Sequence, residues 1–352
     1  MNSETPTGQS PEFIRDMIAL KATCRCDACR KKSTVNVTLV VPSCRGEQIR
    51  EFIEAWEPVR FWTQLLIIED GPARTFDVLT CHHYSHAEID ADLGPNAWVI
   101  SRRDSAVRSY GFLMAYRLGA DFIVTLDDDC RPIPGIDHLA GHLAALDTTP
   151  RWVSTIPGLR VRGLPYGDIG TLPGVMLNVG LWRGVPDLDA VQTLAAGCPT
   201  DFVPPAGSRI LPRGTYAPLC GMNLAFRREF APLAYFGLQG EGWPYRRFDD
   251  IWFGVVAKRI CDHLGWSIAV GEPHIHHTRA SDPLANLVKE APGIAMNERF
   301  WRVVDAIPLT GTTAAGCMAE VGRGLEAEGD YLKRLGRAMQ AWARLFGAEI
   351  AP

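Results

Sequence analysis

The stretch FIVTLDDDC, residues 122–130, decides the fold class of this chain. Its first five residues are apolar or β-branched, which is typical of a buried strand, and three carboxylates follow them directly. In an extended backbone, Asp127 and Asp129 point to one face and Asp128 to the other. Neighbouring carboxylates repel one another unless a cation or strong donors compensate their charge. The stretch therefore predicts a strand that ends at a cation site, with a polar turn or a helix cap as the alternative.

The three aspartates also indicate which cation and ligand to expect. Hard carboxylate oxygens suit Mg²⁺ or Mn²⁺, and these ions bridge the phosphates of a nucleoside diphosphate. We expect Asp127 and Asp129 to bind the metal and Asp128 to contact the ribose or the sugar. No G-x-G-x-x-G or Walker A loop follows a predicted strand, which argues against a dinucleotide dehydrogenase and a P-loop ATPase.

Outward from this stretch, short β-branched runs alternate with helical segments. This alternation predicts an α/β fold with a mainly parallel central sheet. Strands are predicted at residues 35–41, 64–68, 98–100 and 122–126, and helices between them at residues 50–56 and 105–118. Because ligands of open α/β sheets bind beyond the carboxyl ends of the strands, we expect the polar residues there to share one site.

These strand ends supply candidate nucleotide-binding residues. After the first two strands, we expect the base and ribose to be bound by Pro42, Ser43, Arg45 and Asp70. The next helix begins with residues that favour an anion, namely Asp104, Ser105 and Arg108. Lys289 could add positive charge near the phosphates, although a surface ion pair is the usual role of a single lysine.

A second acidic pair, Asp249 and Asp250, begins the apolar-periodic segment 251–264, which Gly265 closes. A close pair of carboxyl groups can push one pKa upward and divide the acid and base roles between them. The alternative is a helix cap with a favourable first-turn carboxylate. Both interpretations can hold, because one aspartate can cap the helix while the other faces a sugar.

The composition excludes several classes of function. The chain has 352 residues, of which 47% are hydrophobic and 22% charged, as in a globular protein. A net charge of −4 provides no basic field for nucleic acid or an anionic membrane. We expect no membrane span, no signal peptide and a cytoplasmic location, with the ten cysteines mainly reduced.

The predicted divisions of the chain are an N-terminal extension, a catalytic α/β domain and a C-terminal helical part, at residues 1–33, 34–294 and 295–352. In the extension, Cys24, Cys26 and Cys29 could supply three zinc thiolates or remain free thiols. The C-terminal part contains amphipathic segments that pack on the same domain or form the interface of a homo-oligomer.

Seven motifs follow one another along the chain: DSAVRSYGF (104–112), TLDDDC (125–130), PLCGMNLAF (218–226), YFGLQGEG (235–242), RFDDIW (247–252), ICDHLG (260–265) and HHTRASDP (276–283). In this order they resemble the reversibly glycosylated polypeptides, the UDP-arabinopyranose mutase family, over about residues 35–345. The resemblance implies a GT-A-like Rossmann-type nucleotide-sugar-binding fold and a UDP-sugar substrate. It also implies Mn²⁺ dependence with Mg²⁺ as an alternative, pyranose–furanose interconversion without flavin, and reversible self-glycosylation on an arginine.

The arginine that matches the glycosylated residue of this family is Arg162 in the run RVRGLPY. Here Leu164 stands where the family has an aromatic residue, and Ile169 stands where plant members have a second arginine. Arg160 lies close by and could be confused with it. The alternatives for Arg162 are a phosphate clamp and a surface ion pair.

Two further residues are assigned roles. His277 matches the family position of a histidine followed by a hydroxyl residue and a cation, which implies a third metal ligand; it could instead bind the diphosphate or pack in the core. Asn223 in the run CGMN could donate a hydrogen bond to a sugar hydroxyl, with a core turn as the alternative.

The chemistry explains why a nitrogen nucleophile is useful. A glycosylated nitrogen can expel the ring oxygen as an imine-like species, which a carboxylate cannot do. A free guanidinium has a pKa above about 12 and is not nucleophilic, so a base must remove its proton. Asp249 and Asp250 are the candidate bases. Two alternatives remain, a GT-A glycosyltransferase with a separate acceptor and a non-catalytic UDP-sugar-binding subunit.

Overall fold

The computed structural model describes residues 35–78, 81–147, 151–152, 154, 160–168, 170, 174–278 and 282–348. The cysteines predicted as zinc ligands, Cys24, Cys26 and Cys29, lie outside these residues, as does Ile169. Within the described ranges no helix is long and apolar enough to cross a membrane.

A nine-stranded sheet forms the centre of the described chain. Its strands are β1 (Val37–Ser43), β2 (Gln64–Glu69), β3 (His82–Tyr84), β4 (Phe122–Leu126), β5 (Cys130–Arg131), β6 (Val175–Gly184), β7 (Arg209–Ile210), β8 (Asn223–Arg227) and β9 (Ser267–His277). The spatial order is β3-β2-β1-β4-β8-β6-β9-β5, and β7 pairs with β9. Strands β1, β2, β3, β4, β6 and β9 run in one direction, and β5, β7 and β8 run in the other. The expectation of a mainly parallel sheet is confirmed.

The α-helices of the described residues are α1 (Gly46–Trp56), α2 (His86–Leu93), α3 (Arg108–Arg117), α4 (His138–Leu146), α5 (Ala190–Ala196), α6 (Asp249–Leu264), α7 (Pro283–Ala306), α8 (Ala314–Leu325) and α9 (Asp330–Arg344). Short 3-10 helices precede α3, at Ser105–Val107, and follow β8, at Arg228–Leu233.

Apolar clusters cover both faces of the sheet. One cluster packs α3, α6, α8 and α9 against the sheet and includes Phe112, Phe253 and Trp342. The other packs against α1 and includes Trp56 and Phe52. The C-terminal helices therefore belong to the same core as α3 and α6, because Trp342 of α9 lies in one cluster with Phe112 and Phe253. Its ring stacks on Tyr235 with centroids 5.1 Å apart.

The predicted strand at residues 98–100 is wrong. Residues Gly94–Val99 form a 3-10 helix, and the third parallel strand is β3. The Gly94–Pro95 pair favours a tight turn, so the apolar residues that follow it pack into the core from a turn. The sequence of β3, His-His-Tyr, contains no apolar run that could have predicted a strand. Position 295, where the C-terminal helical part was predicted to begin, lies inside α7.

Candidate active site

The middle aspartate of the triplet links the carboxyl ends of β1 and β4. Asp128 accepts hydrogen bonds from the Ser43 hydroxyl and from Nε and Nη2 of Arg45. The Nε atom lies 3.2 Å from Asp128 Oδ2. Burial raises the pKa of Asp128, while the bonds from Ser43 and the charge of Arg45 oppose this shift. Of the residues predicted to bind the nucleotide, Ser43, Arg45 and Asp128 are therefore in direct contact.

The first aspartate of the triplet is paired with a buried arginine. Arg108 Nη2 lies 2.5 Å from Asp127 Oδ1, and the Arg108 side chain is 2% exposed. Its other donors reach the Ser105 carbonyl at 3.0 Å, the Thr125 hydroxyl at 3.3 Å and the Gly221 carbonyl. We expected Arg108 to bind an anionic ligand from the helix N-terminus. The structure instead uses it as an internal cation that compensates Asp127.

Asp129 and His277 are neighbours because β5 pairs with β9, which places Cys130 opposite His277. His277 Nδ1 lies 2.8 Å from the Val185 carbonyl and donates to it, which leaves Nε2 as the nitrogen that could bind a metal ion. Burial and the charge of Asp127 raise the pKa of Asp129, and His277 lowers it. Two carboxylates and one imidazole nitrogen are a donor set that fits Mn²⁺ or Mg²⁺.

These three predicted ligands are close but not convergent. Within the described ranges, the ligand atoms of Asp127, Asp129 and His277 do not all lie within 4.8 Å of one another. One oxygen of the Asp127 carboxylate is engaged by Arg108 at the start of α3. Binding a divalent cation at the triplet would require Asp127 to be shared with or released from Arg108.

Asp249 and Asp250 occupy the first turn of α6 and are not its cap. The N-cap is Phe248, which makes no side-chain cap bond, so neither aspartate is the N-cap, whereas the expected first-turn carboxylate is confirmed. Asp249 is buried and accepts a hydrogen bond from the Ser105 hydroxyl. Burial raises the pKa of Asp249, and burial together with the charges of Asp249 and Asp187 raises the pKa of Asp250 well above its usual value.

Asp104 lies on the other side of this pair. Burial and the charge of Asp249 raise the pKa of Asp104 well above its usual value. Its Oδ1 accepts the Ala106 amide at 3.0 Å, whereas the buried Oδ2 has no hydrogen-bond partner among the described residues. Asp104, Asp187, Asp249 and Asp250 are referred to below as the acidic cluster. The raised pKa values of Asp104, Asp249 and Asp250 favour the protonated form of these three carboxyl groups.

Two members of the site were not predicted from the sequence, namely Asp187 and Cys220. Asp187, Cys220 and Asp250 each direct one ligand atom to within 4.8 Å of the others, and this group could hold a metal ion. The Cys220 thiol donates to Asp187 Oδ2 at 3.1 Å. Burial and the charges of Asp187 and Asp250 raise the pKa of Cys220 well above its usual value, so the thiol stays protonated.

The missed residues carried weak sequence signals. Asp187 lies in the run GVPDLD after β6, and the strand itself was not predicted, so its carboxyl end could not be recognised. Cys220 lies in the run CGMN, in which the sequence predicted a role for Asn223 alone. A prediction of β6 as a parallel strand would have placed Asp187 at the site.

Some predicted residues have other roles in the fold. Asp70 Oδ1 accepts the Arg103 amide and contacts His86 Nε2, both at 2.8 Å, so it connects the end of β2 to the segment that carries Asp104. Pro42 is half-buried within β1. Lys289 is exposed on α7.

Asn223 belongs to the core. It is fully buried, its Nδ2 donates to the Pro273 carbonyl at 3.0 Å and the Leu181 carbonyl at 3.3 Å, and its Oδ1 lies 3.1 Å from His142 Nε2. These protein contacts engage both ends of the amide, and the sugar contact remains a prediction. The core-turn alternative is the one that fits its surroundings.

Arg162 is exposed, and no described contact joins it to the acidic cluster. The segment that carries it leaves α4 at Leu146 and returns to β6 at Val175. Arg227 binds the carbonyls of both residues, with Nε 3.3 Å from that of Val175. Because Arg227 faces Phe122 at the start of β4, these two anchor points lie at the edge opposite the triplet.

The fold and the site define a class of protein. A mainly parallel sheet with an aspartate triplet at the carboxyl end of β4 is the arrangement of a GT-A-like α/β protein. The chain belongs to a family within this class, because a sequence model described as "Reversibly glycosylated polypeptide" matches residues 32–350. The resemblance inferred from the seven motifs is thereby confirmed.

Similar proteins carry related names. The chain is 35% identical over 336 residues to "Probable UDP-arabinopyranose mutase 1" of Solanum tuberosum, which covers 86% of this chain and 88% of that protein. It is 37% identical over 297 residues to "UDP-arabinopyranose mutase 3" of Arabidopsis thaliana, which covers 77% of this chain and 76% of that protein. A solved structure titled "Crystal Structure of a Mycobacterial Protein" superposes with a TM-score of 0.41 at 15% identity, covering 92% and 80% of the two chains.

Proposed function

We propose that this protein is a UDP-sugar mutase, which interconverts the pyranose and furanose forms of a UDP-pentose such as UDP-arabinose. Family membership and the names of the similar proteins support the substrate class. The observation that carries the proposal is the acidic cluster, in which Asp104, Asp249 and Asp250 are carboxyl groups with raised pKa values close to the aspartate triplet. Ring opening and closure require such proton donors and acceptors.

The triplet and its neighbours would bind the UDP group. Asp127, Asp129 and His277 would hold Mn²⁺ or Mg²⁺, and the bound ion would neutralise negative charge on the diphosphate. Arg45 and Ser43, which bind Asp128, would orient the nucleotide beside this aspartate. Arg108 would limit the repulsion among the carboxylates while the anionic substrate enters.

The first step would transfer the sugar to the protein. A nitrogen of Arg162 forms a bond to the anomeric carbon, and the bond from that carbon to the β-phosphate oxygen breaks with its electron pair leaving on UDP. The proton lost from the guanidinium passes to Asp249 or Asp250. UDP remains bound, and no oxidation or reduction takes place.

The ring would change size while it is attached to nitrogen. The nitrogen lone pair expels the ring oxygen, which takes a proton from a carboxyl group of the acidic cluster, and a carbon–nitrogen double bond forms. A different sugar hydroxyl then attacks this carbon and returns its proton to the cluster. In the last step a phosphate oxygen of UDP attacks the anomeric carbon, and the Arg162 nitrogen leaves and is reprotonated.

A second candidate is a transferase that passes the sugar to a separate acceptor. The specific observation that favours it is the position of Arg162, which is exposed on a segment anchored at the opposite edge of the sheet. The covalent mutase mechanism requires a nitrogen of Arg162 to contact the sugar that the acidic cluster serves. A transferase would use the same UDP-binding residues and would not need Arg162.

The test is to incubate the purified protein with UDP-arabinopyranose and Mn²⁺, without an acceptor, and to measure UDP-arabinofuranose by chromatography. We expect furanose to form and EDTA to abolish it. Arg162→Ala should stop turnover and self-glycosylation without changing UDP affinity, whereas Arg160→Ala on the same segment serves as the matched control. Full activity of Arg162→Ala would contradict the covalent mechanism, and UDP release only with an added acceptor would favour the transferase.

A further inference from the structure

The carboxylate of Glu290, on α7, joins two segments of the site. Its side chain is 8% exposed, although Lys289 beside it is exposed. Oε1 lies 2.8 Å from Arg247 Nε, and Oε2 accepts the Ala190 amide at 2.9 Å. Each oxygen of this buried carboxylate thus binds a different part of the chain. The two bonds together hold those parts in a defined relative position.

The first of these segments leads directly to the acidic pair. Arg247 has φ of 64°, a left-handed conformation that is uncommon for a residue other than glycine and persists where the surroundings hold it. Arg247 precedes Asp249 by two residues. The ion pair to Glu290 therefore holds the backbone turn from which α6 starts.

The same face of α7 fixes the following residues. A Cβ at Gly293 would lie 2.2 Å from the Phe248 ring, so the absence of a side chain there lets Phe248 pack against the helix. Asn297 Oδ1 accepts Trp252 Nε1 at 3.0 Å. Glu290, Gly293 and Asn297 lie three and four positions apart, on one face of the helix, and contact residues on both sides of the acidic pair.

The second segment leads to Asp187. The Ala190 amide is at the first position of α5, where a helix provides no internal acceptor, and Glu290 supplies one. Asp187 lies three residues earlier. The link from Glu290 to Ala190 therefore limits how far Asp187 can move from Asp250 and Cys220.

We propose that Glu290 is a positioning residue, which aligns Asp187 with Asp250 by holding the two segments that carry them. This inference rests on the mutase function proposed above. Glu290 would act through Arg247 and Ala190 and would not touch the sugar. Removing its carboxylate leaves the Arg247 guanidinium and the Ala190 amide without their acceptor, so the two aspartates lose their fixed separation.

The kinetic test compares Glu290→Ala, which removes both acceptor oxygens, with Glu290→Gln, which keeps one. A small misplacement of reacting groups lowers the chemical step more than substrate binding. We expect Glu290→Ala to lower kcat roughly tenfold to a hundredfold with little change in KM, and Glu290→Gln to recover part of the loss. Asn297→Ala is the matched control, because it removes a bond from the same helix face without touching Arg247 or Ala190.

A double-mutant cycle tests whether Glu290 acts through Arg247. If Glu290 acts through Arg247, the effects on kcat of Glu290→Gln and Arg247→Gln are non-additive. Additive effects, or an unchanged kcat in Glu290→Ala, would overturn the inference. An equal loss of kcat in Asn297→Ala would also overturn it, since general loosening of α7 would then explain the result.

Hydrogen exchange provides a measurement that does not depend on activity. Glu290→Ala should accelerate amide exchange in residues 185–190 and 245–252, whereas Asn297→Ala should affect only the second range. Unchanged exchange in both ranges would contradict the link even if the protein were an active mutase. If the wild-type protein proved inactive as a mutase, the proposed function would fail, while the exchange result would still decide whether Glu290 holds the two segments.

Discussion

At the scale of single residues, the site contains more buried charge than the aspartate triplet alone. Arg108 is the internal cation of this arrangement, with donors to Asp127, Ser105, Thr125 and Gly221. A buried charge of this kind is costly unless every partner is present. The arginine is therefore expected to be required for folding as well as for the geometry of the triplet.

Arg108→Met should lower the free energy of unfolding by about 3–5 kcal/mol, because it leaves the Asp127 carboxylate and two carbonyls without their donor. Denaturant titration of the purified variant measures this loss. Arg117→Met is the matched control on the same helix, since its ion pair with Asp92 is about one-third exposed on both sides, and it should cost less than about 1 kcal/mol. Equal losses in the two variants would show that Arg108 is not an essential partner of the triplet.

The second prediction at this scale concerns pH. The pKa of Asp104 lies well above its usual value, so the folded protein binds more protons than the unfolded chain at pH values above about 4. Stability is therefore lost as the pH rises through this window. Asp104→Asn, which keeps the cap to the Ala106 amide, should raise the free energy of unfolding at pH 8, and the gain should shrink toward pH 4.

Urea titrations of wild type and variant at several pH values would measure this difference. The control is Asp282→Asn, an exposed cap at the start of α7, for which we expect no such pH-dependent gain. If Asp104→Asn were less stable than wild type at every pH, the carboxyl would be a net stabilising charge and our account of the acidic cluster would be wrong.

At the scale of secondary-structure elements, the position of α3 on the sheet is set by the absence of a side chain. A Cβ at Gly111 would lie 2.4 Å from a methyl group of Val40 and 2.9 Å from Ile68. The helix that starts with Arg108 can approach β1 and β2 only because this position is glycine. The approach in turn brings Arg108 to Asp127.

Gly111→Ala should therefore move α3 away from the sheet and cost about 1–3 kcal/mol of unfolding free energy. Thermal or chemical denaturation would measure the loss, and substrate affinity should fall with it because the Arg108–Asp127 pair is displaced. Gly167→Ala is the control, because no atom of the described residues lies within 4 Å of the added carbon, and it should change stability by less than about 0.5 kcal/mol. A stable Gly111→Ala protein with normal affinity would contradict this view of α3.

At the scale of the whole molecule, the sheet and the C-terminal helices share one apolar core. Trp342 is fully buried, its indole nitrogen donates to the Pro232 carbonyl at 3.0 Å, and its ring stacks on Tyr235. The helix that carries it thus covers the turn after β8. We expect the described chain to unfold in one cooperative transition rather than as separate parts.

Trp342→Ala should lower the free energy of unfolding by about 3–5 kcal/mol, because it opens a large cavity in this shared core. Far-ultraviolet and near-ultraviolet circular dichroism during denaturation should still give coincident transitions. The half-buried Trp301 provides a control of the same type, and Trp301→Ala should cost less. An early, separate loss of helical signal in Trp342→Ala would show that the C-terminal helices fold independently.

How far the sequence predicts the molecule depends on the range of each interaction. The strands β1, β2 and β4 and the first turn of α6 follow from local patterns, because apolar runs and charged strand ends lie next to one another in the chain. The predicted strand at residues 98–100 failed because a Gly-Pro turn can bury apolar residues without a strand. The short β3 has no pattern of its own and exists because β2 offers it a partner.

The sequence by itself determined the α/β class, the family and the place of the aspartate triplet after a buried strand, since all of these depend on residues that are near neighbours. The tertiary structure alone decided that Arg108 turns inward, that Asn223 serves the core, and that Asp187 and Cys220 meet Asp250. The physical reason is that strand order brings together segments far apart in sequence: β8 lies between β4 and β6, so their connections converge on one site. Burial at that convergence raises the pKa values of Asp104, Asp249 and Asp250, which the residue types alone could not show.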